Sequence, residues 1–148
     1  MLHYYLQLLS TLLFICSPMT KGDSSGGDGG NVGMPGGRVP QDVNKEDIKE
    51  LATKGLAKIN HQSNSAHHFG LAKIEKAESQ VVSGVLYTLT LRVGKTDCLK
   101  TQVNSDNLSE CNKYTGDLDN TEIYTVEIWL QPWKNFEQVT ITKGQKEE

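Results

Sequence analysis

The chain has 148 residues, a length suited to one packed domain and too short for two full cores. Its formal net charge is −3, from 15 Lys and Arg against 18 Asp and Glu, with the cations scattered among the acids instead of lining one stripe. That distribution leaves no electrostatic footprint for DNA or RNA, so nucleic acid is excluded as a partner.

Residues 6–16 are dominated by Leu, Phe and Ile, and no Asp, Glu, Lys or Arg precedes Lys21. The run is too short to cross a bilayer comfortably, so no membrane association is expected. It reads as a secretory signal over residues 1–22, cut somewhere among the small residues of 17–22, which makes the expected protein secreted and extracellular. Cys16 would leave with it. Residues 23–33 are rich in Gly, Ser and Asp, cannot bury enough apolar surface to offset their ordering entropy, and read as a flexible tail. The folded domain is expected over residues 34–148. At its start, Met34-Pro35-Gly36-Gly37 sets an apolar residue and a proline before two glycines, which taken alone is ordinary linker punctuation.

Residues 44–60 read as a helix. Ile48, Leu51, Ala52, Gly55, Leu56 and Ile59 recur on one stripe, Asn44 is placed to cap it, and acids fill the first turn. An apolar stripe must be covered, and the rest of the chain is strand-like to its end, so the solution is a helix against an antiparallel sheet. Gly55 costs about 1 kcal/mol of helix propensity relative to Ala and is expected to let the sheet approach closely.

Ala72, Ile74, Lys76 and Glu78 alternate with Lys73, Glu75 and Ala77, while Val85, Tyr87, Leu89, Leu91 and Val93 alternate with Leu86, Thr88, Thr90 and Arg92. Two such runs flanking Gln80-Val81-Val82-Ser83-Gly84 make a hairpin. Ser83 and Gly84 are the positions able to take unusual backbone angles, Gly84 reaching positive φ without steric cost. Val81 and Val82 then stand near the apex, apolar and uncovered unless a partner meets them. Loops on a rigid hairpin are favoured binding sites.

Residues 95–119 turn polar and read as a long connection. It holds Cys98 and Cys111, an even pair in a chain expected to be exported, and they are expected to be bonded to each other; closing a loop of that size contributes about 3 kcal/mol on the chain-entropy model. As a metal site the pair lacks a CxxC or HxxxH companion, and His67-His68 is adjacent instead of one helical turn apart, so neither metal nor other cofactor is expected. Catalysis is not expected either. Paired cysteines offer no thiolate, the Gly-rich segment lacks the preceding strand and the Lys-Ser or Lys-Thr ending of a phosphate loop, and Glu46, Asp47 and Glu50 form a solvated helix face. Asn107-Leu108-Ser109 is an N-glycosylation sequon. Beyond it, Tyr124, Val126, Ile128 and Leu130 share one face of a strand, with Trp129 out of phase and given no role. Val139 and Ile141 mark a last strand, and the polar neighbours Gln131, Lys134 and Asn135 place Pro132 and Trp133 in a loop between the two.

Gln80-x-Val82-x-Gly84 resembles the first-loop motif of the cystatins, protein inhibitors of papain-like cysteine proteases. Gly36-Gly37 before the helix resembles that family's N-terminal glycine, and Pro132-Trp133 resembles its second-loop pair. Each is weak alone; three in order, at matching spacing over residues 34–143, are specific. The resemblance implies a cystatin-like α+β fold, a single long helix on a curved antiparallel sheet, and reversible, tight-binding inhibition of papain-like proteases of the cathepsin type. It implies that Met34, Pro35, Gly36 and Gly37 run along the non-primed side of the protease cleft. Gln80, Val81, Val82, Ser83 and Gly84 would enter it together with Pro132 and Trp133. The Cys98–Cys111 pair resembles the first bridge of secreted members, whose second bridge has no counterpart because no cysteine follows Cys111. Ser63-Asn64-Ser65 resembles, except in its last residue, the Ser-Asn-Asp run through which some secreted cystatins inhibit legumain; a plain turn residue is the alternative reading of Asn64. A secreted cystatin-fold binding protein without inhibitory activity is the alternative function. The assembly expected is a monomer, with a domain-swapped dimer as the form that hairpin exchange would give.

Overall fold

The structure, a computed structural model, describes residues 36–144. The expected signal segment, the tail, Met34 and Pro35 lie outside the described residues. A single long helix, α1 (Glu46–Gln62), buries Ile48, Leu51, Ala52, Gly55, Leu56 and Ile59, the stripe read from the sequence, and adds Asn60 to it. Its start differs from expectation. Lys45, not Asn44, occupies the cap position and makes no side-chain cap bond. Asn44 is drawn instead into a turn before the helix, where Asp42 Oδ1 accepts from its backbone N at 2.9 Å and its Nδ2 at 3.1 Å. Asp readily closes such local turns, and here it wins the competition for the preceding residues.

Five strands form one antiparallel sheet in sequential order. They are β1 (Arg38–Pro40), β2 (His67–Val82), β3 (Gly84–Leu99), β4 (Thr121–Gln131) and β5 (Phe136–Lys143). The α+β class expected from the sequence, a single long helix with an antiparallel sheet, is the class observed. β1 was not expected, and the alternation read over residues 72–78 is corrected. Ile74 and Ala77, placed on opposite faces by that alternation, are both buried. The reason is a register shift between Ile74 and Lys76, one of three along β2, each of which changes the phase of the strand and bends it.

Leu89, Leu91 and Val93 of β3, with Val126 and Ile128 of β4, form the sheet layer beneath α1. Gly55 is where the layers come closest. A Cβ there would lie 2.9 Å from Val126 Cγ1 and 3.3 Å from Leu91 Cδ1, so the absence of a side chain sets the helix-to-sheet distance. The polar connection is shorter than expected, because β3 continues through Leu99. Cys98 and Cys111 are bonded, with Cα atoms 5.9 Å apart, and a short helix α2 (Leu108–Cys111) delivers the second cysteine. Asn107, the sequon residue, is half-buried just before α2, its Nδ2 donating to Gln102 O at 3.0 Å.

Candidate binding edge

In a sequential antiparallel sheet, alternate connections fall at the same end. Here the β2–β3 turn closes at Val82 opposite Gly84, and Val85 pairs with Leu130 one residue before the end of β4. β1 enters at that end too, with Arg38 opposite Gln80. Gly36, the tip formed by residues 80–84, and Pro132-Trp133 therefore gather along one edge of the sheet.

Specific bonds hold them in line. Gln80 Nε2 donates to Gly36 O at 2.7 Å, tying the entering segment to the hairpin. Gly36 has φ +82°, a left-handed conformation that L side chains rarely adopt, with open space where a Cβ would be. Next to it, Gln41 Nε2 donates to Ser79 Oγ at 2.9 Å, and Arg38 and Lys76 both reach Glu78, at 3.6 and 2.8 Å. The Lys76 ammonium, helped by Arg38, holds the Glu78 carboxyl below the ordinary carboxylate range.

The hairpin tip is fastened on its other side by two residues to which sequence reasoning gave no role. Trp129 Nε1 donates to Ser83 O at 2.8 Å, and Gln131 Nε2 donates to the same oxygen at 2.7 Å and to Ser83 Oγ at 3.2 Å. Trp129 can do this because it lies out of phase with its strand's apolar face. Paired with Leu86 on the face away from α1, it stacks edge-on against Phe136, with ring centroids 5.4 Å apart. That phase was the available signal. Gly84, at φ +100°, lies so close to β4 that a Cβ would collide with the Leu130 carbonyl oxygen. The second turn, Pro132–Lys134, is a single 3-10 turn closed by Asn135 in the left-handed region, at φ +48°.

What this edge offers to solvent is apolar. Val81 is 72% exposed and Trp133 65%, values at which neither side chain serves the core. None of Gly36, Gly37, the tip residues, Pro132 or Trp133 carries an ionisable group; Arg38 and Lys134 flank them.

Asn64 is elsewhere. It is exposed in the loop between α1 and the start of β2, at the opposite end of that strand from the tip. Lys100 Nζ anchors the loop by donating to Asn60 O and Ser63 O, both at 2.7 Å. That end of the sheet also carries a pocket of about 440 Å³ lined by Lys95, Cys98, Glu110, Lys113 and Tyr114. Its cysteine is bonded to Cys111 and so offers no thiolate.

A sheet that leaves an apolar edge without ionisable groups open to solvent defines the class of a binding protein. Comparison with known proteins specifies the class further. The cystatin domain model matches residues 36–145. Onchocystatin of Onchocerca volvulus is 38% identical over 112 residues, covering 76% of this chain and 67% of that protein. Cystatin cpi-2 of Brugia malayi is 38% identical over 104 residues, covering 70% of this chain and 62% of the relative. The crystal structure of Al-CPI matches with a TM-score of 0.63 at 34% identity, over 74% of this chain and 100% of that one. The chain belongs to the cystatin family of protease inhibitors. Its match spans about two thirds of the length of these curated relatives.

Proposed function

We propose that this chain is a secreted, reversible, tight-binding inhibitor of papain-like cysteine proteases of the cathepsin type. In this reading Gly36 and Gly37, led by Met34 and Pro35, occupy the non-primed side of the cleft, while residues 80–84 and Pro132-Trp133 fill the rest. The observation that carries it is the alignment of Gly36, the Ser83 tip and Trp133 along one apolar edge, each fixed by its own turn or hydrogen bond. No scissile bond is set before the protease's thiolate, so the cleft is obstructed and the inhibitor stays intact. Because the tip is already bonded to β4, little ordering entropy remains to be lost on association. Export is supported by the apolar residues 6–16 and by a disulfide, which persists in oxidising compartments.

Titrating papain with the purified protein tests the reading. Competitive, reversible inhibition is expected; a folded protein inactive at micromolar concentration would leave the binding protein without inhibitory activity as the function. Two variants probe how the edge is fixed. Gly36→Ala is expected to raise the dissociation rate about tenfold, because placing an L residue in that φ region costs about 1–2 kcal/mol whatever room the side chain has. Trp129→Phe combined with Gln131→Ala removes both donors to Ser83 O and is also expected to speed dissociation about tenfold, from the loss of roughly 1–2 kcal/mol of tip ordering. An unchanged dissociation rate in stopped-flow displacement would dismiss either contribution.

A second reading adds legumain as a partner. It is favoured by the exposure of Asn64 on a loop that Lys100 pins, remote from the first edge, so that both proteases would fit at once. The same titration run against legumain, with Asn64→Ala beside the parent, decides it: no inhibition by the parent ends the proposal.

A further inference from the structure

The two margins of the sheet are guarded differently. On one side β1 pairs with only three residues of β2 and ends in Pro40, and the stretch of β2 beyond it carries Lys73, Glu75 and Lys76. Short strands, proline and charge are the means by which proteins keep an edge from pairing. On the other side β5 runs eight residues, in unbroken register with β4, and contains neither Pro nor Gly. Among the described residues no strand lies beyond it.

The sequence of β5 is complementary to itself. Antiparallel pairing centred on Thr140 sets Val139 opposite Ile141, Gln138 opposite Thr142 and Glu137 opposite Lys143, with each pair occurring twice. Shifting the centre to a neighbouring residue loses the opposition of Glu137 and Lys143. These two charges also continue chains already present on the helix side of the sheet. Lys54 Nζ is 2.8 Å from Glu137 Oε2, and Lys143 Nζ is 3.1 Å from Glu122 Oε1. Across such a seam Lys54, Glu137, the partner's Lys143 and the partner's Glu122 alternate in sign.

We propose that β5 is a self-association edge, at which two copies of this chain pair antiparallel about Thr140 into one ten-stranded sheet. The two-fold axis sends the apolar binding edges to opposite ends of that sheet and leaves both open. Combined with the function proposed above, on which only this consequence rests, the dimer is a bivalent inhibitor. Seven paired residues per copy fall short of the about 1,000 Å² of a stable interface, so the dimer is reversible, with a dissociation constant on the order of 10⁻⁴ M.

Thr140→Lys is the test. It sets two ammonium groups against each other on the axis, whereas within one copy the new ammonium faces Glu127, the β4 partner of position 140, and the fold is kept. Thr140→Val serves as the control. Sedimentation equilibrium of the purified protein from about 1 μM to about 1 mM brackets the expected constant, and hydrogen exchange of the Phe136–Lys143 amides is followed over the same range. The parent and Thr140→Val are expected to approach the dimer mass as β5 amides gain protection, and Thr140→Lys to remain monomeric with those amides open. A monomer throughout overturns the proposal. So does β5 protection independent of concentration, which means the edge is covered within one chain, and so does a dimer that survives Thr140→Lys, as one formed by hairpin exchange would.

Discussion

Replacing Gly84 by Ala is expected to raise the inhibition constant against papain by about 100-fold while the sheet stays folded. Two features of the position act together. Its φ of +100° lies where L residues are strained, and the added methyl would collide with the Leu130 carbonyl oxygen, a backbone atom with little freedom to retreat. Relief comes by lifting the hairpin tip off the end of β4. That movement breaks the bonds from Trp129 and Gln131 to Ser83 O, the bonds that hold the tip in line with Trp133. Backbone strain of about 1–3 kcal/mol, added to the lost hydrogen bonds, amounts to roughly two decades of affinity. Inhibition kinetics read beside a thermal melt make the check: an Ala variant that inhibits like its parent would mean the tip is not used in its fastened form.

Much of this arrangement was legible in the residues, and the remainder was hidden for definable reasons. The stripe from Ile48 to Ile59 marked α1 because helix periodicity is a property of one continuous segment. The strands of the hairpin were marked in the same way. Gly36, Gly84 and Pro132-Trp133 carried family motifs, so the candidate edge could be named before its geometry was known, although only the register of the sheet brings them together. β1 escaped notice because three residues show no period. The shift at Ile74 escaped because a bulge is decided by the partner strand, not by the strand that bulges. Trp129 was visible as an anomaly of phase, but its bond reaches Ser83, 46 positions away, and no local pattern encodes that contact. Asn44 and Asp42 are both good at closing turns, and the choice between them depends on how the chain leaves β1 for the helix.

Asn60 is the most consequential of the residues that the sequence left unmarked. It sits on the buried face of α1, where a polar residue breaks the apolar stripe. Its amide group is fully occupied there: Oδ1 accepts from Phe69 N at 2.7 Å, and Nδ2 donates to Phe69 O at 2.9 Å and to Leu56 O at 3.2 Å. Beside it, His68 Nε2 donates to Asn112 Oδ1, at 2.8 Å, a separate bond that ties the start of β2 to the residue next to the disulfide. Asn60 thus couples the helix to β2 beside one of its bulges, satisfying a peptide edge that the ladder to β3 does not. Asn60→Ala strips the Phe69 N–H and C=O of these partners in a place where Phe69 is only 3% exposed. Leaving buried backbone groups unpaired is expected to cost about 3 kcal/mol, lowering the melting temperature by roughly 15 °C for a domain of this size. Papain inhibition at low temperature should be unchanged, since Asn60 lies near the start of β2 and the binding edge near its end. Gly84→Ala and Asn60→Ala are therefore expected to separate affinity from stability in opposite directions, and a single variant that moved both equally would show that the far end of the sheet and its binding edge are one cooperative unit.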